Sequence, residues 1–312
     1  MTARQSVLHS AGPIASETAD IAWLLIAGAA LVFTIVIVTL ALALWRRRRG
    51  ERPGPGDAAW LIGAGIAFPA VVLSALLWHV NARSPRLAVA GDRDEIVIGV
   101  TGRMWWWEVR YPTEGAASQV LLANEIRLPA GRTVRLALGS GDVIHSFWVP
   151  ALAGKVDMLP GRVHALRLRA DVPGVWRGQC AEFCGEQHAR MALDVVVLEP
   201  AQFDVWLAAQ ARPAPASSDP RVAAGRAVYR AQRCAACHSI RGLEDGGSLA
   251  PDLTHLASRL RLGAGTLAMH RAGLADWVAN VQSVKTGARM PSFDRLDADA
   301  LAALAAFLES LK

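Results

Sequence analysis

Two uncharged apolar runs constrain this chain more than any other feature. Ile21–Trp45 runs 25 residues without a charge and Ala58–Val80 another 23. Each exceeds the roughly 20 residues a helix needs to cross about 30 Å of hydrocarbon. Core helices of such length carry a polar stripe, and neither run has one. A cleaved signal would have a basic start and a shorter apolar stretch, whereas residues 1–20 are mixed and polar. The runs therefore predict a transmembrane hairpin with spans at about 21–45 and 58–80, within an N-terminal segment 1–86. They also account for a hydrophobic fraction of 53%. Between them stands RRRRGERPGPGD, which holds Arg46 to Arg49 and Arg52, against Arg4 before the first run and Arg83 and Arg86 after the second. The positive-inside bias places that loop in the cytoplasm and both termini on the outer, periplasmic face of a bacterial inner membrane. Much of the net +6 is then a topology signal. No basic stripe interleaved with aromatics points to nucleic acid.

Residues 87–205 read as short strands between turns. TVRLALGSGD and HALRLRADVPG alternate apolar with polar residues, and LPAGR and ADVPG carry the Pro and Gly that end strands. A β-sandwich or barrel follows. Residues 206–219, including ARPAPASSD, are rich in Ala, Pro and Ser without a period, and read as a linker. Residues 220–312 have a helical texture: Asp297 can cap a final helix whose Leu301, Leu304, Leu308 and Leu311 share a face.

The four cysteines carry the chemistry. On an oxidising face two disulfides are the plain expectation, but the spacings argue otherwise. Cys234 and Cys237 stand in CAACH, the C-x-x-C-H site at which two thiols bind haem c covalently and His238 becomes an axial ligand. The sixth ligand comes from His255, Met269, His270 or Met290. The helical domain resembles small class I cytochromes c, whose ligand methionine precedes the last helix and is often followed by proline; ARMPSF fits this at Met290. The other pair lies in GQCAEFCGEQHARM, spaced C-x3-C-x3-H-x2-M through Cys180, Cys184, His188 and Met191. With His145 of DVIHSFWVP, zinc in a Cys2His2 site is a rival. Zinc has no use for the methionine, and a single blue copper needs one cysteine. Thiolates, imidazoles and a weak thioether on a β-sandwich suit copper. Two cysteines and two histidines allow a copper pair bridged by both thiolates.

DVIHSFWVP, GQCAEFCGEQHARM and the two spans resemble subunit II of haem–copper cytochrome c oxidases, with its CuA centre, over residues 20 to 200. The C-x-x-C-H domain resembles the cytochrome c fused in caa3-type enzymes. The resemblance implies a multidomain membrane protein: a two-helix hairpin, a cupredoxin-like β-sandwich and an all-α class I cytochrome c domain. It makes Cys180 and Cys184 bridging thiolates, His145 and His188 terminal ligands and Met191 a weak axial ligand. Glu182 would give copper its backbone carbonyl, its side chain facing a magnesium site at the boundary with subunit I. GRMWWWEVR resembles the family's aromatic stretch, and Trp105 aligns with the tryptophan that receives the incoming electron. The family stretch mixes in tyrosine where this chain has Trp105, Trp106 and Trp107.

The implied function is an electron relay from haem c to CuA and on to subunit I, which reduces O2 to water with proton translocation. A lone His79 in the spans offers no haem site, so oxygen chemistry belongs to that partner. Subunit III is a further expected partner, with cytochrome c or a quinol–cytochrome c reductase as donor. The alternatives are the copper subunit of a nitric oxide reductase and a membrane-anchored copper-binding assembly protein. A quinol oxidase subunit is disfavoured, because those lack the copper ligands.

Overall fold

The structure is a computed structural model that describes residues 5–50, 56–91, 95–112 and 119–312. The topology signals Arg4 and Arg52 lie outside the described residues.

The first apolar run forms helix α1, Pro13–Arg48. The second forms α2, Asp57–Ile62, and α3, Phe68–Arg83, joined by a π-helical turn over Gly63–Ala67. That turn ends two residues before Pro69, where the missing N–H and the ring force the ladder to adjust. The apolar windows of both helices are unburied within the protein. They are not core helices; they are apolar all round, as lipid-facing helices are. Thr34 and Thr39 return their hydroxyls to backbone carbonyls of α1, which removes unpaired donors from an apolar surface. Arg83 at the end of α3 pairs with Glu17 of α1 at 3.0 Å. Just before α1, the Ala11 N–H donates to the Ala151 carbonyl at 2.7 Å and the Ala11 carbonyl accepts from the Asp171 N–H at 2.9 Å.

Among the described residues, ten strands make the β-domain: β1 (Ile96–Arg103), β2 (Trp106–Tyr111), β3 (Val120–Ala123), β4 (Glu125–Pro129), β5 (Thr133–Ser140), β6 (His145–Trp148), β7 (Val156–Met158), β8 (Val163–Arg169), β9 (Gly174–Cys180) and β10 (Ala192–Leu198). They form two five-stranded sheets, ordered β3-β2-β1-β5-β8 and β4-β10-β9-β6-β7. The alternation read from the sequence becomes β5 and β8, whose Val134, Leu136, Leu138 and Leu168 are buried. The sequence pattern puts His145 at the end of a strand; in the fold it opens its own, because the turn Gly141–Ile144 interrupts the chain after β5. This is a cupredoxin-like sandwich.

Helix α4, Pro200–Gln210, follows β10. Residues 206–210, expected to begin a linker, are therefore helical. Phe203 and Trp206 pack against Tyr111 of the sandwich, each burial stabilising by about 1.5–3 kcal/mol. After it, the Ala214 N–H bonds the Arg241 carbonyl, while the Arg241 guanidinium holds the Gln210 and Arg212 carbonyls at 2.6 and 3.0 Å. The Ala/Pro stretch is laid onto the C-terminal domain.

That domain is helical: α5 (Pro220–Ala231), α6 (Arg271–Val284) and α7 (Ala298–Ser310), with a two-residue hairpin of β11 (Arg261–Leu262) and β12 (Leu267–Ala268). Asp297 caps α7 by accepting from the Ala300 N–H at 2.7 Å, and Leu304, Leu308 and Leu311 are buried as the spacing predicts. Tyr229 of α5 stacks edge-on with Phe307 of α7 at 5.6 Å. The domain docks on the sandwich through polar contacts. Buried Glu125 accepts from the Leu260 N–H at 2.8 Å, Arg127 donates to the Ser258 carbonyl at 2.9 Å, and Arg261 lies 3.6 Å from buried Asp194.

Candidate metal and haem centres

Strand pairing builds the first site. Antiparallel β6 and β9 put Phe147 opposite Cys180, so His145 and Cys180 converge at one end of the sandwich. The chain then loops back: the Cys180 N–H bonds the Met191 carbonyl at 2.9 Å, closing 180–191 into a compact lobe. Cys180, Cys184, His145 and Met191 are buried. The two sulfurs stand 3.8 Å apart, unbonded, where a disulfide would need about 2.05 Å. Around Cys180 Sγ lie His145 Nδ1 at 3.9 Å and the Glu182 carbonyl at 3.2 Å. Around Cys184 Sγ lie His188 Nδ1 at 3.5 Å and Met191 Sδ at 3.7 Å. The ligand atoms of His145, Cys180 and Cys184 fall within 4.8 Å of one another. Two sulfurs each about 2.3 Å from one tetrahedral metal would be about 3.8 Å apart. The donor set and its spacing fit a thiolate-bound metal, with a nitrogen and a weak donor disposed beside each sulfur.

Electrostatics favour the same use. The bond from Cys184 and the neighbouring His145 and backbone groups hold the Cys180 thiol down near 3. Cys184 is pushed up by its bond to Cys180 and by burial, so the pair resists a second ionisation until a cation arrives. Burial opposes charge on His145, but its bonds to Cys180 and Asp142 outweigh that and raise its pKa.

Two residues that the sequence reading missed shape this site. Asp142 Oδ1 lies 2.8 Å from His145 Nε2; this places the ring proton on Nε2 and leaves Nδ1 as the free lone pair facing the sulfurs. Its other oxygen accepts the Met104 N–H at 2.8 Å. A Cβ on Gly102 would sit 2.7 Å from the His145 ring, so glycine is what admits the imidazole. Replacing Asp142 by alanine is expected to weaken metal binding at this site about 10–100-fold, measured by competition with a chelator of known affinity.

The three tryptophans have three surroundings. Trp107 is buried against Phe147 and His145. Trp106 begins β2 beneath Arg103. Trp105, in the β1–β2 turn, donates its indole N–H to the Cys184 carbonyl at 2.8 Å. Its ring lies against Gly185 of the sulfur loop and Gly287 of the C-terminal domain, where an added Cβ would be 3.3 and 3.4 Å from it.

The second site is a cleft between the domains, lined by His238, Leu256, Leu274, Trp277 and Met290 on one side and by Trp105 and Trp106 on the other. It holds roughly 1250 Å³ of free space, partly open to solvent. Cys234 and Cys237 are free thiols on the turn after α5. His238 Nδ1 lies 2.7 Å from the Pro251 carbonyl, which places its proton there and leaves Nε2 available. The methionine loop is fixed from α6, where the Gln282 side-chain amide donates to the Ala288 and Met290 carbonyls, both at 2.7 Å. Of the other candidates, His255 has both ring nitrogens engaged, on the Lys312 and Arg212 carbonyls. His270 caps α6 by accepting from the Gly273 N–H, and Met269 does not line the cleft. Buried Arg259 also lines it, with Nε unpartnered. In the cleft a free imidazole nitrogen, a thioether, apolar walls and an orphaned cationic donor, with two thiols on the adjoining turn just before His238, fit a covalently held, carboxylated haem.

Fold and sites together define a class: membrane-anchored redox subunits that join a cupredoxin-like domain to a cytochrome c domain. Residues 111–198 match the family described as cytochrome C oxidase subunit II, periplasmic domain, and residues 222–312 match cytochrome c. A cytochrome c oxidase subunit 2 of Alkalihalophilus pseudofirmus is 31% identical, over 98% of this chain and 91% of that protein. One from Bacillus sp. strain PS3 is 31% identical over 79% of this chain and 70% of its own length. Among solved structures, the periplasmic domain of subunit II of the Bradyrhizobium japonicum cytochrome oxidase is 29% identical, covering 39% of this chain and 96% of that one, with a TM-score of 0.36. The chain belongs to the cytochrome c oxidase subunit 2 family and is a component of a haem–copper oxidase, an inner-membrane protein whose two domains imply copper and haem c.

Proposed function

We propose that this chain passes single electrons from its own haem c to a binuclear copper centre, CuA, and on to subunit I, which reduces O2 to water with proton translocation. The observation that carries this reading is the pair of buried sulfurs 3.8 Å apart with a histidine Nδ1 beside each. A lone tetrahedral zinc would take both thiolates and both histidines but leave the Met191 thioether and the Glu182 carbonyl unused, and a blue copper needs only one of the thiolates, whereas a bridged pair uses all six donors. Cys180 and Cys184 would be the shared thiolates that hold the copper pair, with His145, His188, Met191 and the Glu182 carbonyl as its further ligands. Cys234 and Cys237 would hold the haem covalently, with His238 and Met290 as its iron ligands. When bound, both groups supply one-electron chemistry, and Met/His ligation raises the haem potential.

Trp105 receives the electron, supported by its place between the cleft and the Cys184 carbonyl. The Glu182 side chain, half-exposed and 3.9 Å from Lys155, faces subunit I and its magnesium. Both termini and both soluble domains, 87–205 and 220–312, stand on the periplasmic face. Subunit III completes the assembly, and a soluble cytochrome c or a quinol–cytochrome c reductase supplies electrons. The test is metal content with EPR and near-infrared spectra on the full chain in detergent, from a host that attaches haem c. Two coppers and one iron, with hyperfine structure shared equally by both coppers, are expected; one zinc or a single localised copper would overturn the binuclear reading.

A further inference from the structure

Lys285 terminates α6 with its side chain directed out of its own domain and 4% exposed. Among the described residues it makes no ion pair. Its Nζ donates to three carbonyls: Trp105 at 2.6 Å, Arg190 at 2.9 Å and Gly263 at 3.2 Å. An ammonium has three N–H donors and no acceptor, so this cage satisfies it completely. The three carbonyls belong to three separate segments: the β1–β2 turn that carries Trp105, the end of the sulfur loop, and the β11–β12 hairpin of the C-terminal domain. Burial pushes the lysine's pKa down to about 7, with the charge of Cys184 opposing that shift and Arg190 adding to it. The flanking residues continue the attachment. Gln187 donates to the Thr286 carbonyl at 2.8 Å, Arg190 donates to the Val284 carbonyl, and Gly287 touches the Trp105 ring.

We infer that Lys285 is a positioning residue that locks the cytochrome domain onto the copper loop and Trp105, so that transfer between the two centres proceeds in one fixed geometry and not through repeated encounters of a tethered domain. The lysine lines the cleft but donates to no candidate ligand side chain; it acts through the Trp105 and Arg190 backbone. This inference rests on the relay proposed above and adds how the relay is held in register.

The experiment compares wild type, Lys285→Met and Lys285→Arg as full chains carrying haem and copper. Haem c is reduced by a flash-generated donor, and the haem-to-copper step is followed optically. Lys285→Met keeps an unbranched side chain, one atom shorter, without donors. It is expected to slow that step at least about tenfold, since a misplacement of order 1 Å can cost 100-fold. Haem absorption, copper EPR and the bimolecular reduction of haem by the donor should stay at wild-type values. Lys285→Arg, which restores a multi-donor cation, is expected to recover part of the rate. A wild-type rate in Lys285→Met with normal spectra overturns the lock and leaves the relay standing; no haem-to-copper transfer in wild type overturns both. Should Lys285→Met not accumulate, wild type decides alone. A locked domain gives a rate independent of added glycerol, whereas a rate falling in proportion to viscosity overturns the proposal.

Discussion

Replacing Cys184 by serine abolishes the copper pair while haem attachment survives: that is the expected result, and the largest effect this chain offers. The Cys184 sulfur is the hub of its half of the site, 3.8 Å from Cys180, 3.5 Å from His188 Nδ1 and 3.7 Å from Met191 Sδ. A serine hydroxyl is smaller, hard and protonated at neutral pH, so it cannot replace a soft bridging thiolate. Copper content should fall from two per chain to one at most. The EPR signal shared between two nuclei should vanish, and haem-to-copper transfer should become undetectable. The haem spectrum should not change, because Cys234, Cys237 and His238 lie in the other domain with their own core. Stability should fall by only about 1–2 kcal/mol, the cost of a buried hydroxyl with few partners. Two coppers retained in Cys184→Ser would show that the sulfur does not bridge.

Trp105→Leu is the second. It removes the indole ring between the copper loop and the cytochrome domain, together with its bond to the Cys184 carbonyl. The copper ligands themselves are untouched, so two coppers and a near-native EPR spectrum are expected. Haem-to-copper transfer should slow by on the order of 100-fold. This separates a conduit from a structural prop. A prop would alter the copper spectrum or its affinity before it altered the rate, while a wild-type rate in Trp105→Leu would hand the role to another group lining the cleft.

The candidate copper and haem ligands are legible in the sequence because their chemistry is local and unusual. Most of the candidate copper ligands, from Cys180 to Met191 with Glu182 among them, sit in one loop, and C-x-x-C-H has few other uses. Met290 stands out from Met269 only by the proline after it, and the cleft that it shares with His238 comes from the packing of α6 and α7. Asp142, Gly102 and Lys285 are not legible. Each is a common residue type in no pattern, and each matters through a partner that its own neighbours do not announce: Lys285 meets Trp105 across 180 positions. The linker misleads for a related reason. Its Ala/Pro/Ser composition lacks a period, yet Trp206 anchors its start on the sandwich and Arg241 pins its middle. Hydrogen bonds from outside a segment leave no trace in that segment's own residues.

The strand-like attachment of Ala11 to Ala151 and Asp171, with the Arg83–Glu17 pair close by, has a mechanical consequence. The head of α1 is fastened to the β-sandwich, and the end of α3 is braced against that same head. The sandwich therefore rides on both helices together, like a platform on two legs and not a flag on a single pole. Such a mount resists both swivel and tilt. It sets the height and heading of the sulfur loop relative to the two helices, so a partner docking there meets that loop already aimed instead of having to capture it from a range of angles.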